Sequence, residues 1–324
     1  MRVIPVGDEK HLWPVVLSWA KEASQHRGAF ESAFLGMDGS VSFSSEEGGG
    51  PSPGIEVIRN PSRLSVSREE AAVFALDGMA KASLLRKGAL TDPECLFLEL
   101  YLPYIFLSQY AQAKGRAIAV GHLAQTLDGR IATLSGHSQW IGNASNLDHA
   151  HRMRALCASI LIGRGTLEAD RPKLTVRRME GPNPIRVVVG SRIGDLSSLQ
   201  LASEEKILVF SEQQEEEPIP GVQSFLLPGG ETNCEFILHR LYQAGIHSVW
   251  VEGGAGTMSR FLQRGFMDII QLHFAPILLG SGLSGIQLDP IHRIPDAVGF
   301  VSSSFFLLDG EMLFCGEVDY KSPA

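Results

Sequence analysis

A glycine-rich turn follows an apolar run late in the chain and has the residue types of an anion-binding site. The segment reads Val249-Trp250-Val251-Glu252-Gly253-Gly254-Ala255-Gly256-Thr257, directly before a stretch with helical spacing. Because glycines carry no side chain, backbone N–H groups at a helix N-terminus can approach a phosphate, which the helix dipole also favours. The carboxylate of Glu252 stands at the strand exit, where α/β folds place ligands. The segment therefore predicts an anion-binding turn beside a polar group.

Two earlier segments also place turn residues after an apolar strand. Gln125 to Ile141 contains a single tryptophan, Trp140. It is predicted to be either a hairpin-like turn with a core tryptophan or a mobile flap whose tryptophan covers a flat ring. In Ile162-Gly163-Arg164-Gly165-Thr166, Gly163 and Gly165 would let a dinucleotide lie against the backbone.

Strands and helices must alternate to position these turns, and from residue 117 onward they do. Apolar runs predict strands at Ala117–Ala124, Ser159–Ile162, Ile185–Val189, Ile207–Phe210, Ser248–Val251, Ile269–Leu279, Phe305–Leu308 and Met312–Val318. Helical spacing occurs at Asn143–Cys157, Asn233–Ala244 and Gly256–Arg264. This order predicts an α/β sheet with an antiparallel end.

Residues 1–115 have a different pattern and are predicted to form a separate, mostly helical domain, with a second domain over 116–324. Helical spacing covers Leu12 to Ala23, and a capping-box pattern at Ser67 to Glu70 starts a helix that runs to about Leu85. A further helix is expected from Pro93 to Ala113, kinked or split at Pro103.

Composition excludes several classes of protein. The 324 residues carry a net charge of −8, which argues against a nucleic-acid partner. The four cysteines lie far apart, as expected of reduced thiols in a cytoplasmic protein. We see no signal peptide, and the longest apolar stretch, Leu96 to Leu107, is too short to span a membrane.

No metal site is expected. His149 and His151 would project about 200° apart on one helix and cannot share an ion. Asp148 and His149, near Arg152 and Arg154, are predicted to form a solvated helix face. A zinc deaminase would need His-x-Glu and Pro-Cys-x-x-Cys, and neither motif occurs in the sequence. The amino-terminal domain is therefore of unknown role and not a deaminase.

Taken together, several segments between residues 117 and 318 resemble the reductase domain of bifunctional riboflavin-biosynthesis deaminase/reductases, which has a dihydrofolate-reductase-like fold. The matching segments are Leu127-Asp128-Gly129-Arg130-Ile131-Ala132, Ser138-Gln139-Trp140-Ile141, Gly163-Arg164-Gly165-Thr166, Ala169-Asp170-Arg171-Pro172-Lys173-Leu174-Thr175-Val176-Arg177, Glu252-Gly253-Gly254 and Ala275-Pro276-Ile277-Leu278-Leu279-Gly280.

The resemblance implies an NADPH-dependent pyrimidine reductase that transfers hydride to a (phospho)ribosylaminopyrimidine-like substrate. The cofactor would lie along Gly163, Gly165, Thr166 and Trp140, with its phosphates on Gly253, Gly254, Ala255, Gly256 and Thr257 and its 2′-phosphate near Ser191 and Arg192. The substrate would contact Thr126, Ser138, Trp140, Leu174 and Arg177. Asp170 or Glu252, through a raised pKa, would supply a proton.

Two positions depart from the family pattern. His122 stands where a lysine is often found and could donate a proton, so it joins the candidate catalytic residues. Leu147 stands where an arginine usually helps to hold the substrate phosphate, and a leucine cannot do so. The substrate either lacks that phosphate, or Arg177 and Arg178 hold it differently.

Two alternatives stay open, a dihydrofolate- or pterin-type reductase and a catalytically silent nucleotide-binding module. The family resemblance also implies a homodimer, with strand Ile269–Leu279 pairing across a two-fold axis.

Overall fold

The computed structural model describes residues 2–4, 11–27, 30, 32–44, 54–59, 71–139, 141–192, 194–199, 206–213, 219–228 and 233–320. Trp140 and the capping-box pattern at Ser67 to Glu70 lie outside these residues.

A ten-stranded mixed sheet forms the centre of the molecule. Its spatial order is β1 (Arg2–Ile4), β16 (Gly299–Leu308), β17 (Glu311–Asp319), β14 (Ile269–Ala275), β7 (Ile118–Thr126), β13 (Ser248–Glu252), β9 (Ser159–Gly163), β10 (Ile185–Gly190), β11 (Ile207–Ser211) and β12 (Val222–Leu226). The seven strands from β14 to β12 are parallel, whereas β17 is antiparallel to both its neighbours. The predicted α/β sheet with an antiparallel end is confirmed.

Helices cover both faces of this sheet, which explains why its inner strands are almost continuously apolar. On one face lie α6 (Cys234–Gln243) and α7 (Ala255–Gln263). On the other lie α4 (Ala144–Leu156), α5 (Arg164–Asp170) and helices from the first third of the chain. Strand β12 is half exposed at the sheet edge, so its sequence has no continuous apolar run to reveal it.

The first third contains a second sheet that the sequence analysis did not predict. Its order is β3 (Val41–Ser44), β2 (Ser32–Leu35), β4 (Ile55–Ile58), β5 (Ala72–Leu76) and β6 (Ala82–Arg86). The predicted helix from Ser67 to Leu85 is wrong, because its described part is the β5–β6 hairpin. All five residues of β5 are buried, and a short run that is apolar throughout has no period to distinguish helix from strand. The segment therefore combines a sheet with helices.

Three helices accompany that sheet, α1 (Leu12–Gln25), α2 (Asp92–Ile105) and α3 (Leu107–Lys114). They confirm the other two helical predictions, including the split, since α2 ends shortly after Pro103. Thr91 and Glu94 cap α2 reciprocally.

The first third and the large sheet share one hydrophobic core. Strand β1 pairs with β16, and buried polar side chains from the two parts form hydrogen bonds with one another. The Tyr101 hydroxyl lies 3.0 Å from Nδ1 of His149, and Nε2 of Gln271 donates to the Tyr104 hydroxyl at 2.6 Å. The boundary near residue 115 stays a prediction.

Two further observations concern pairing with a second copy and the crossing of a membrane. Strand β14 is hydrogen-bonded along both edges, to β7 and β17, so the expected pairing of Ile269–Leu279 with a second copy is wrong. Within the described ranges, no helix combines the length and the apolar composition that crossing a membrane requires.

Candidate active site

A cleft of about 650 Å³ opens at the carboxyl ends of four adjacent parallel strands, β7, β13, β9 and β10. Helix α4 and the loop before it form one wall, and the starts of α5 and α7 form another. The carboxyl edge of a parallel sheet is where α/β folds collect the loops that bind ligands.

The two glycine turns meet inside the cleft. The N–H of Gly254 donates to the Thr166 hydroxyl at 2.9 Å, which joins the start of α7 to α5. A Cβ on Gly163 would lie 2.4 Å from Oγ1 of Thr257, and one on Gly253 would lie 2.6 Å from Oγ1 of Thr166. Gly253 also has a φ of +112°, a conformation that strains other residues. Only glycine permits this close approach of the two turns.

The start of α7 has the chemistry that a phosphate requires. Its N-cap is Gly254, which offers no side-chain oxygen to the first N–H groups of the helix. Gly256 and Thr257 line the cleft, and a Cβ on Gly256 would meet open space. Helix N–H groups and dipole would therefore face an anion here, so this turn and the Gly163 to Thr166 turn fit the pyrophosphate of a dinucleotide.

A buried ion pair forms the floor of the cleft beneath the glycine turns. Nε and Nη2 of Arg154 donate to the two carboxylate oxygens of Glu252, each at 2.7 Å. The indole Nε1 of Trp250 donates to the same carboxylate at 2.7 Å. Arg154 is further fixed by donating to the carbonyl oxygen of Thr175. The pair presents a rigid, hydrogen-bonding surface rather than a free acid.

The expectation of a raised pKa is wrong for Glu252. Burial by itself raises the pKa of this carboxyl, but the charge and hydrogen bonds of Arg154, aided by His122 and Trp250, outweigh it, so the pKa is lowered. Asp170 behaves as expected, because burial raises its pKa. Of the two carboxyls proposed as proton donors, only Asp170 is shifted towards its protonated form.

His122 is a neutral imidazole in the cleft wall. Burial, opposed by the nearby Glu252 carboxylate, lowers the pKa of His122 to about 4. Its ring stacks on Trp250 at a centroid distance of 5.2 Å, and its Nε2 lies 3.1 Å from Oδ1 of Asn146. Since the amide oxygen only accepts, this contact assigns the imidazole proton to Nε2. His122 therefore does not supply the positive charge that a lysine would.

The segment after β7 closes one side of the cleft. Strand β8 (Arg130–Ala132) pairs with β15 (Leu283–Ser284), a strand far away in the sequence, and the choice between a hairpin-like turn and a flap stays open because Trp140 lies outside the described residues. The Asp128 carboxylate accepts the Thr126 hydroxyl at 2.5 Å and the N–H groups of Leu279 and Gly280 at 3.2 and 2.6 Å. These bonds lower the pKa of Asp128 to about 2. The matched Leu127-Asp128-Gly129 turn thus anchors this wall.

Most of the predicted site residues line the cleft, namely His122, Ser138, Gly163, Gly165, Thr166, Asp170, Glu252, Gly253, Gly254, Gly256 and Thr257. The others that the structure describes, Thr126, Leu174, Arg177, Ser191, Arg192 and Ala255, are not in its wall. Thr126 and Leu174 are fully buried, and Arg177 and Arg192 point to solvent.

Sequence reasoning missed the stripe of α4 that faces the cleft. Asn146, Ala150 and Arg154 recur every four residues, beside Leu147, and all four line it. This i, i+4, i+8 spacing was visible in the sequence and would have placed Arg154 opposite the strand ends. Leu147 adds an apolar surface where, by the resemblance, an arginine usually helps to hold the substrate phosphate.

The predicted solvated face of α4 is wrong at His149, which is 1% exposed because Tyr101 of α2 and Gln271 of β14 pack against it. His151, on another side of the helix, is 2% exposed. Nε2 of His149 lies 2.6 Å from Oε1 of Gln271, and burial lowers its pKa well below the usual value. Nδ1 of His151 accepts the N–H of Arg177. In the part of the chain that the structure describes, no three His, Cys, Asp or Glu side chains are grouped to hold a metal.

Comparisons with known proteins agree with this geometry. The RibD C-terminal domain family matches residues 120–293. The riboflavin biosynthesis protein RibD of Aquifex aeolicus is 36% identical over 168 residues, which are 50% of this chain and 47% of that protein. The 2,5-diamino-6-ribosylamino-4(3H)-pyrimidinone 5′-phosphate reductase of Archaeoglobus fulgidus is 32% identical over 212 residues, covering 57% of this chain and 96% of that protein.

A solved structure shares the fold. The deaminase/5-amino-6-(5-phosphoribosylamino)uracil reductase of Thermotoga maritima superimposes with a TM-score of 0.57 at 29% identity, over 69% of this chain and 62% of that one. The predicted resemblance to the reductase of such bifunctional proteins is thereby confirmed. The chain spans about half the length of the Aquifex RibD protein but nearly all of the Archaeoglobus reductase. The chain belongs to the RibD C-terminal domain family.

Proposed function

We propose that this chain is an NADPH-dependent reductase of a ribosylaminopyrimidine, of the kind for which its Archaeoglobus relative is named. The observation that carries the proposal is the meeting of the two glycine turns above the Arg154–Glu252 pair. Together they offer a phosphate cradle and a polar floor within one cleft. When bound, the nicotinamide supplies the hydride, and the protein aligns the acceptor carbon and excludes water.

The remaining roles follow from the site groups. We assign proton supply to Asp170, because it lines the cleft and burial raises its pKa. Glu252 stays ionised beside Arg154 and serves to orient bound groups rather than to donate a proton. Neutral His122 offers a hydrogen-bonding edge without charge. Of the predicted substrate contacts, Ser138 lines the cleft, whereas Thr126, Leu174 and Arg177 lie outside its wall. Trp140 stays a predicted contact.

The first third of the chain would support this site rather than add a second activity. Its sequence lacks both zinc-deaminase motifs. It packs against α4, the helix that carries Arg154 and Asn146. We further propose a cytoplasmic homodimer, in keeping with the family resemblance, whose interface does not use β14.

The test is an assay of the purified full chain with NADPH, following the absorbance of the reduced nicotinamide. A ribosylaminopyrimidine is offered with and without its 5′-phosphate, and dihydrofolate is offered in parallel. Asp170→Asn should lower kcat strongly, whereas Asp195→Asn, an exposed carboxylate paired with Arg171, should leave it unchanged. Oxidation with dihydrofolate alone would identify a pterin-type reductase, and cofactor binding without oxidation would identify a silent module.

A further inference from the structure

An arginine at the far end of the cleft has no role in the function proposed above. Arg164 is the first residue of α5, directly after Gly163, and it lines the cleft where β10 ends. Sequence reasoning placed recognition of a cofactor phosphate at this strand end on Ser191 and Arg192. Neither of those residues is in the cleft wall.

The glycines around Arg164 leave room for its side chain to cross from β9 to β10. A Cβ on Gly190 would lie 2.8 Å from Cβ and 3.5 Å from Cδ of Arg164. A Cβ on Gly194 would lie 3.6 Å from Cγ of Arg164. The arginine stem therefore lies over both glycines. Arg192, in contrast, presents its backbone carbonyl oxygen to Gly190 while its side chain is exposed.

The guanidinium of Arg164 is available for a stronger partner. Nη1 donates to Oε1 of Glu168 at 3.0 Å, and the two side chains are 30% and 46% exposed. Exposed pairs at i, i+4 are weak because water screens both charges. A phosphate dianion offers more charge than the carboxylate and accepts both arms of an arginine at once.

The order of strands places Arg164 at the opposite end of the cleft from His122. His122 is on β7 and Arg164 borders β10, and these strands are separated by β13 and β9. Three strand spacings make roughly 14 Å, which suits a ligand with two ends joined by a pyrophosphate. With the pyrophosphate on the central glycine turns and the nicotinamide towards His122, the adenosine end would reach β10.

We propose that Arg164 binds the 2′-phosphate of the adenosine ribose and so makes the chain select NADPH over NADH. This inference rests on the proposed function, because it places a nicotinamide dinucleotide in the cleft. The sequence-based assignment of the 2′-phosphate to Ser191 and Arg192 is replaced by a residue that lies in the cleft wall.

Titration calorimetry of the full chain with NADP⁺ and NAD⁺ tests the proposal without catalysis. Arg164→Met should weaken NADP⁺ binding by roughly 10- to 100-fold, the usual size of a lost charge-assisted contact, and should change NAD⁺ binding little. Arg192→Met tests the sequence-based assignment and should leave both affinities unchanged, and Arg293→Met, at an exposed arginine paired with Asp296, is the control. Glu168→Gln, which removes the competing carboxylate, should strengthen binding of NADP⁺ but not of NAD⁺. That gain keeps the test informative if Arg164→Met fails to fold.

Each other outcome overturns the inference in a recognisable way. Equal losses for NADP⁺ and NAD⁺ in Arg164→Met would place the arginine at the pyrophosphate. Loss of NADP⁺ preference in Arg192→Met would restore the sequence-based assignment. Unchanged affinities in both Arg164→Met and Glu168→Gln would show that Arg164 has no role in binding the dinucleotide. If the unaltered chain binds neither dinucleotide, the proposed function fails as well, which distinguishes that result from the others.

Discussion

The buried pair of Arg154 and Glu252 predicts a specific pattern of stabilities. Their side chains are only 12% and 16% exposed, so Arg154→Leu leaves a carboxylate buried without its cation. Breaking a buried pair in this way costs about 3–5 kcal/mol, and access to the cleft favours the lower end, about 3 kcal/mol. The double variant Arg154→Leu/Glu252→Gln removes the stranded charge and should recover to within about 1 kcal/mol of the unaltered chain.

The pH dependence of these variants has a defined sign. In the unaltered chain the pKa of Glu252 is lowered from 4.5. The ionised carboxylate therefore stabilises the fold above pH 4.5, and this stabilisation is lost as the pH falls further. Without Arg154, burial raises the pKa of Glu252, so the carboxylate is protonated as the pH falls and the cost of burying its unpaired charge disappears. The stability gap between Arg154→Leu and the unaltered chain should therefore narrow from neutral to mildly acidic pH.

Urea unfolding of the single and double variants measures these differences. Arg178→Leu is the control, because Arg178 pairs with Asp148 at 2.5 Å but the two side chains are 37% and 32% exposed. That change should cost less than about 1 kcal/mol. The reasoning is refuted if Arg154→Leu costs no more than Arg178→Leu, or if the double variant is less stable than Arg154→Leu.

Three further predictions concern the walls and core of the site. Gly253→Ala should lower the free energy of unfolding, measured by urea titration, by about 1–3 kcal/mol, because the φ of Gly253 is +112° and an added Cβ would meet a threonine oxygen. In the control Gly256→Ala the added Cβ meets open space, so the free energy of unfolding should fall by less. Asp128→Ala should free the loops it joins, measured as faster cleavage by a protease at unchanged core stability. Burial lowers the pKa of His122 to about 4 and also lowers the pKa of His149. The free energy of unfolding should therefore be at its full value above about pH 6.5 and should fall as the pH drops towards 4, with about 3 kcal/mol of the loss due to His122. A free energy of unfolding that stays constant over this pH range would contradict the assignment.

The structure also explains which errors the sequence analysis made. The pattern of β5 is apolar at every position, and only its pairing with β4 and β6 makes it a strand. His149 has polar neighbours along α4, yet α2 covers it and supplies Tyr101 as a partner. Local patterns contain no information on which distant element will pack on a given face.

The sequence by itself determined most of the strands and helices beyond residue 117 and the position of both glycine turns, although it did not reveal α5 or the half-exposed edge strand β12. These features are local, since apolar periodicity and the conformational freedom of glycine act within a few residues. Only the tertiary structure decided which side chains share the cleft. Arg154 and Glu252 are 98 residues apart in the chain, and they meet because β13 pairs beside β9 while α4 crosses over the strand ends. The same packing fixes the charge of Glu252 and brings Arg164 into the cleft wall, because burial and long-range contact, rather than residue type, set both properties.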